Sequence, residues 1–308
     1  MIVRDVPDVE PAERAIAIGS FDGVHLGHRL VIGRAAEVAA HHGIRSSVVT
    51  FRPHPMTVLR PERAPRELTS PARQEQLLGE IDPDELLLIR FTHAFSQLTY
   101  EQFAEEVLAG ALGVRHVVVG ENFRYGNRAQ GTIETLRASG ERLGFEVEPA
   151  PLLQVDGAPV SSSRIRDLLA AGEVERAAAL LGRDPSLEGT VVHGDGRGRE
   201  LGFATANLEA APHSAFPATG VYAGRAHVEG GTWPAAISVG YNPTFSDDRQ
   251  KVRVEAHLLD FDRDIYGAPI RIDLTHRLRD EERYDSIDEL VTQVHRDIHA
   301  VRDLVGGR

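Results

Sequence analysis

Two histidines three residues apart open the chemistry of this chain. They lie in Gly19-Ser20-Phe21-Asp22-Gly23-Val24-His25-Leu26-Gly27-His28, between an apolar run and a helical pattern. A helix start presents unpaired N–H groups and a positive dipole end, so it attracts phosphate. Glycines there let the backbone approach an anion, and His25 and His28 fall on one side of a first helical turn, where imidazoles can donate to a polyphosphate. Three readings fit these residues: a phosphate site, a His-x-x-His metal pair without an evident third ligand, or a glycine turn with two surface histidines. A second glycine-rich stretch is Gly189-Thr190-Val191-Val192-His193-Gly194-Asp195-Gly196-Arg197-Gly198-Arg199. It is not a dinucleotide fingerprint, because no helix follows and the surroundings are β.

The elements that carry these stretches differ between the two halves. In the N-terminal half, strand signals at Ala15–Ile18, Ser46–Phe51, Glu85–Phe91 and Val117–Gly120 alternate with helical ones. The helices are marked by Ser70-Pro71 and by a Thr99/Gln102 capping box. Alternation of this kind predicts βαβ units and a parallel sheet, an α/β domain. Ser162 is expected to cap a further helix that stops near Gly172, and a short one stops near Gly182. Beyond residue 183 the period changes to two. Val252, Val254, Ala256 and Leu258 alternate with Arg253, Glu255 and His257, and short strands between turns predict a small antiparallel β-barrel. Ser286 and Glu289 then form a capping box before a terminal helix. The expected domains are 1–183 and 184–308.

Composition narrows the function class. The 308 residues suit two domains, each with its own core. Net charge is −12, which argues against a nucleic-acid partner. No apolar run approaches a bilayer span, and the start is acidic and proline-broken, so a cytoplasmic protein without a membrane partner is expected. Cysteine is absent, which removes disulfides, thiolate nucleophiles and Cys-based zinc sites. Lys251 stands alone and in no P-loop context, so any use of ATP must run through another architecture.

The decapeptide Gly19–His28 resembles the signature of the bifunctional riboflavin kinase/FMN adenylyltransferase family. Thr50-Phe51-Arg52-Pro53-His54-Pro55, Gly120-Glu121-Asn122-Phe123-Arg124-Tyr125-Gly126 and Ser161-Ser162-Ser163-Arg164-Ile165-Arg166 match in the same order. The second glycine stretch, continuing through Leu201-Gly202-Phe203-Ala204-Thr205-Ala206-Asn207, resembles the riboflavin kinase pattern. So do Gly220-Val221-Tyr222-Ala223, Asn242-Pro243-Thr244-Phe245 and the segment around Glu255.

The resemblance implies a nucleotidyltransferase domain of Rossmann-like parallel-sheet type joined to a riboflavin kinase barrel. ATP would serve as co-substrate, with Mg²⁺, in making FMN from riboflavin and FAD from FMN. It places the adenylyltransferase's ATP site at Gly19, Phe21, Asp22, His25, His28, Asn122, Ser162 and Arg166. It places the kinase's ATP and flavin site at Gly194, Gly198, Arg199, Gly202, Thr205 and Asn207. Thr205 and Asn207, oxygen-bearing and two apart, suit Mg²⁺ against phosphate. Glu255 matches the general base on the riboflavin hydroxyl. His28, Asn207 and Glu255 are thus the catalytic candidates. In isolation, Ser162 and Arg166 read as an ordinary helix start with a solvated arginine, and Glu255 as a solvent-facing strand residue.

Two departures stand out. Ala204 occupies a place where the family usually has Pro, and Gln74 one where a basic residue is common. His41, His42 and His54 read as structural or solvated, and Trp233 as packing. Proteins of this kind can assemble into homo-oligomers, though the sequence shows no interface signal. The competing readings are an adenylyltransferase with a weak or dead kinase, and a flavin-binding regulatory module without turnover. A nucleotidyltransferase for another substrate would leave the barrel motifs unexplained.

Overall fold

The computed structural model describes residues 1–194, 201–211, 213–241 and 252–306. Gly198, Arg199, Lys251 and the stretch 242–245 lie outside the described residues. The chain forms two compact units, Met1–Pro65 with Pro71–Ser161, and Arg66–Ser70 with Ser162–Arg308.

The first unit is built on a six-stranded parallel sheet. Its strands are β1 (Ile2–Asp5), β2 (Arg14–Ile18), β3 (Arg45–Arg52), β4 (Glu85–Arg90), β5 (Val114–Gly120) and β6 (Glu146–Ala150), in the order β1-β4-β3-β2-β5-β6. β2 is fully buried, and its alternating side chains feed two cores. Ile16 and Ile18, with Val49, Leu87 and Val117, meet Phe103, Leu108 and Leu136. These come from a helix that begins at Tyr100–Gln102 and continues π-helically over Phe103–Ala111, and from a second at Ile133–Leu143. On the other face, Ala15 and Ala17, with Val48 and Leu86, meet Ile32, Ala35 and Leu77. Those residues belong to α1 (Leu26–His42) and to a helix at Pro71–Gly79. Covered on both faces, the central strands are continuous apolar runs.

β1 and β6 are additions to the expected strands. The Pro and acidic residues near the N-terminus hide β1, which pairs with β4 in parallel. The Thr99/Gln102 capping box is present, with both reciprocal bonds made.

At the N-terminal ends of these strands a buried ion pair closes the unit. Arg14 donates Nε to Glu85 Oε2 at 2.8 Å and Nη1 to the Leu112 carbonyl at 2.9 Å. Arg45 and Ser47 also donate to the Glu85 carboxylate. Burial pushes the Glu85 carboxyl up, but the Arg14 bond and charge, with Arg45 and Ser47, outweigh it and hold it below its usual value. Every charge in this pair has hydrogen-bond partners, the condition under which buried ions are tolerated.

The second unit is a closed antiparallel barrel with strand order β10-β13-β12-β11-β14-β9. After β6 comes a two-stranded pair, β7 (Gln154–Val155) and β8 (Ala158–Pro159), and the barrel strands are β9 (Ser186–Val192), β10 (Ala206–Ala210), β11 (Gly220–Val228), β12 (Gly231–Tyr241), β13 (Val252–Leu258) and β14 (Pro269–Arg279). The helices Ser162–Ala170 and Val174–Leu181 belong to this unit, so the packing boundary falls at Ser161/Ser162, ahead of residue 183. Arg277 and Ala218 fasten them: the Arg277 backbone N–H donates to Glu175 Oε1 at 3.2 Å, and Ala218 N donates to the Leu169 carbonyl at 2.9 Å. Ser162 is the first residue of its helix rather than the cap before it.

The terminal helix runs over Ile287–Val305, with Ser286 Oγ capping the Glu289 N–H. The reciprocal Glu289 bond goes to Asp285 N, one residue short of the expected capping box. Val301 and Val305 seat the helix against Ala223 and Leu259 of the barrel.

Candidate functional sites

In the first unit the chain runs β2, β3, β4 to one side and returns to β5 on the other, so the strand order reverses between β2 and β5. Open α/β sheets bind ligands at such a reversal, beyond the carboxyl ends of the strands. The Gly19–His28 loop leaves the end of β2, and Gly120-Glu121-Asn122 leaves the end of β5.

The first loop is a strained, anchored turn. Phe21 and Val24 take φ of 48° and 40°, uncommon for residues with a Cβ and more so for a β-branched one. Tertiary contacts hold it: Gly19 N donates to the Val49 carbonyl at 3.1 Å, and Val24 N to the Phe21 carbonyl at 3.0 Å. The Ser20 carbonyl accepts from Gln74 Nε2 at 2.8 Å and from Thr50 Oγ1 at 3.2 Å. Gln74, whose residue type departs from the family pattern, is therefore a buried prop of the loop.

His25 is the N-cap of α1, not a member of its first turn as expected; its Nδ1 accepts from His28 N at 3.2 Å. An accepting Nδ1 leaves the proton on Nε2, which assigns His25 as a neutral donor at that nitrogen. Its ring stacks on His28 with centroids 3.5 Å apart and planes 18° apart, and Phe21 meets His28 edge-on at 5.2 Å. Gly27 makes room for this: a Cβ there would stand 3.2 Å from His25 Cε1. The structure thus brings Gly19, Phe21, His25 and His28 together, with Asp22 buried in the same turn. Asn122 is exposed on the neighbouring loop, its side chain folded over Gly120. Ser162 and Arg166 fall in the second compact unit, and Arg166 Nε donates to the Arg66 carbonyl there.

Sequence reasoning left an aromatic wall unread. Phe51 at the end of β3, Phe91 just after β4 and Phe95 meet with centroids 5.6–6.4 Å apart, and all are partly exposed. Their clustering is a product of strand order and has no local signature.

The barrel carries a cleft of ≈ 850 Å³. Gly194, Thr205, Asn207 and Glu255 all line it, so four of the expected kinase residues converge. Asn207 on β10 is directly opposite Glu255 on β13, and Glu255 is directly opposite Ser238 on β12. Gly194 lies against the Asn207 amide: a Cβ would fall 2.2 Å from Asn207 Nδ2. Gly202 takes φ of 87° with open space at its Cβ position. Gly198 and Arg199 lie outside the described residues.

The period-two pattern of β13 turns Arg253 and His257 to the same face as Glu255, and all three line the cleft. His257 Nδ1 is 2.8 Å from the Ala204 carbonyl, so it donates and ties down the loop where proline is absent. On the far wall, Arg279 pairs with Asp297 of the terminal helix at 2.7 Å. Burial pushes the Arg279 guanidinium down, but the Asp297 bond and charge reverse this and hold it above its ordinary value. Ile287, Leu290, Val291 and Val294 of the same helix supply an apolar wall.

The donor set suits magnesium rather than a protein-caged metal. Among the described residues no three His, Cys, Asp or Glu side chains converge as metal ligands. Thr205 and Asn207 offer neutral oxygens in one cleft, and Mg²⁺ commonly takes few protein ligands beside substrate phosphates and water.

Comparison with known proteins matches each unit. The FAD synthetase family model matches residues 8–164, and the riboflavin kinase family model matches residues 181–305. The bifunctional riboflavin kinase/FMN adenylyltransferase of Bacillus subtilis (strain 168) is 37% identical over 290 residues, covering 94% of this chain and 91% of that protein. The protein of the same name from Pseudomonas fluorescens is 36% identical over 305 residues, covering 98% of this chain and 97% of its own. A crystal structure described as a macrolide-efflux protein from Streptococcus pneumoniae aligns with a TM-score of 0.88 at 31% identity, over 98% of this chain and 99% of that one. Among the described residues no helix is long and apolar enough to cross a membrane.

Proposed function

The chain belongs to the bifunctional riboflavin kinase/FMN adenylyltransferase family, and from that premise we propose how its two sites divide the work. It is a transferase that phosphorylates riboflavin to FMN and adenylylates FMN to FAD, with ATP as co-substrate in both steps. The activities divide along the chain as 1–183 and 184–308. The family matches at 8–164 and 181–305 support this division, although residues 162–183 pack with the barrel.

In the adenylyltransferase, an FMN phosphate oxygen attacks the α-phosphorus of ATP, and the bond to the bridging oxygen breaks to release pyrophosphate. No residue need be modified. Catalysis is positioning plus charge stabilisation. The α1 N-terminus and the stacked His25–His28 pair receive the phosphates. Phe21 shapes the pocket with Gly19 and Asp22, and Asn122 reaches it from the next strand. Ser162 and Arg166 are assigned to the same ATP site on the motif alone. Phe51, Phe91 and Phe95, packed edge-to-face with ring planes 55–87° apart, offer an apolar aromatic surface for the isoalloxazine ring.

In the kinase, Glu255 takes the proton from the ribityl hydroxyl as its oxygen attacks the γ-phosphorus. Thr205 and Asn207 would hold Mg²⁺, which neutralises phosphate charge when bound. Backbone N–H groups around Gly194 and Gly202 cradle the nucleotide phosphates, and Gly198 and Arg199 are assigned to the same nucleotide on the motif alone. The alignment of Asn207 opposite Glu255 is the observation that carries this reading. A cytoplasmic setting without nucleic-acid or membrane partners belongs to the same proposal, supported by the net charge of −12.

A flavin time course with riboflavin, ATP and Mg²⁺ tests it: FMN should form first and FAD follow. FAD from added FMN but no FMN from riboflavin would mean a dead kinase. Flavin binding without either product would favour a regulatory module.

A further inference from the structure

Glu255 has a cation on its own strand. Arg253 lies two residues earlier on the same face of β13, and its Nη1 stands 3.6 Å from Glu255 Oε1. That is an ion-pair distance beyond hydrogen-bond range between two partly solvated side chains, so the carboxylate does not lock the guanidinium fork. Both side chains line the cleft, with 39% of Arg253 and 24% of Glu255 exposed. Opposite Arg253 on β12 is Gly240, and the Glu281 carboxylate, which also lines the cleft, packs over that glycine, its Oε1 2.9 Å from where a Cβ would stand.

We propose that Arg253 is a catalytic residue of the phosphorylation step, one that takes hold of the transferred phosphoryl group as Glu255 takes the hydroxyl proton. The proposal rests on the reading of Glu255 as the base. In the step, the ribityl hydroxyl oxygen forms its bond to the γ-phosphorus, and its proton passes to Glu255. The bond from the γ-phosphorus to the β–γ bridging oxygen breaks, and its electron pair leaves with ADP. The negative charge cancelled on Glu255 reappears on the β-phosphate of the departing ADP, while the phosphoryl group arrives beside Arg253 with its own two negative charges. Arg253 exchanges one anion for the other without leaving the strand, and its planar fork suits phosphate better than a point charge would. An interaction that strengthens as phosphoryl charge arrives accelerates the step, whereas one made equally to bound substrate does not.

The test uses the full-length chain. ADP release reports phosphorylation alone, and pyrophosphate release reports adenylylation alone. Arg253→Gln should lower kcat for ADP release by ~100-fold, the usual loss for one charge-stabilising donor, with riboflavin KM little changed. FMN, as product inhibitor of ADP release, should lose about tenfold in potency, and Arg253→Lys should recover part of both losses. Pyrophosphate release from FMN and ATP should be unaltered. Native kcat and FMN inhibition in Arg253→Gln would overturn the proposal, as would a raised riboflavin KM at unchanged kcat. If Arg253→Gln fails to saturate with riboflavin, Arg253→Lys decides: native behaviour in both readouts would overturn it. Glu255→Gln separates the two claims, because native ADP release in that variant removes the base itself.

Discussion

Asn207 and Glu255 face each other across the β10–β13 pair, directly in register, and both side chains line one cleft. Directly opposed residues hold their Cβ atoms about 5 Å apart. The residue assigned to the phosphate's metal and the residue assigned to the hydroxyl proton are thus fixed relative to each other by strand hydrogen bonds. Pairing on strands positions such groups more tightly than a loop would.

The backing of Asn207 yields a first prediction. Gly194 takes no left-handed φ, so alanine there is free of backbone strain, but its Cβ would overlap the Asn207 amide. Gly194→Ala should push Asn207 off its position and cut riboflavin phosphorylation about tenfold or more, while raising the Mg²⁺ concentration needed for half-maximal rate. Steady-state ADP release across a Mg²⁺ series measures both. An unchanged Mg²⁺ dependence would mean that Asn207 does not hold the metal.

Gln74 yields a second, in the other unit. Its carboxamide donates to the Ser20 carbonyl, one residue before the strained Phe21. Gln74→Leu leaves Thr50 as the remaining donor shown for that carbonyl, a loss of ~1 kcal/mol. Adenylylation of FMN should fall by roughly five- to tenfold, with phosphorylation of riboflavin unaltered. Equal loss of both activities would point to global destabilisation instead.

The Glu85 carboxylate predicts an acid limit to stability. Its native value lies below the usual 4.5. A depressed carboxyl contributes its full stabilisation above the unfolded value, and loses it as pH falls through the native one. Denaturant unfolding of the first unit should therefore weaken below about pH 4.5. Glu85→Gln should flatten that limb and cost ~3–5 kcal/mol at pH 7, because Arg14 is left charged and buried without its carboxylate. A cost near zero would show that the pair is replaceable.

The helices ahead of the barrel predict where a fragment must begin. Leu168, Leu169, Val174 and Leu180 are buried within the second unit. A fragment 162–308 should melt at least ~5 °C above a fragment 184–308, each kcal/mol being worth several degrees at this size. Equal melting temperatures would place the folding boundary near residue 183.

The two periods made both architectures legible, since a parallel sheet buried on both faces and a half-exposed barrel strand write different patterns. Motif spacing singled out His25, His28, Asn207 and Glu255, of which the first two stack on each other and the last two lie in register on neighbouring strands. It missed what strand order brings together. The Gln74 contact joins a helix to a loop more than fifty residues earlier, and the Phe51–Phe91–Phe95 wall joins two strands and a short helix. β1 escaped because its edge position demands only four residues, Ile2–Asp5, and one partner. The N-cap role of His25 was hidden because helix spacing alone cannot distinguish a cap from a first turn.

The most direct test of a two-site enzyme is a pair of variants scored for ADP and pyrophosphate in parallel. His28→Ala should cut pyrophosphate release ~100-fold or more and leave ADP release from riboflavin intact, and Glu255→Gln should do the reverse. Either variant abolishing both products while remaining folded would contradict the assignment of one reaction to each unit.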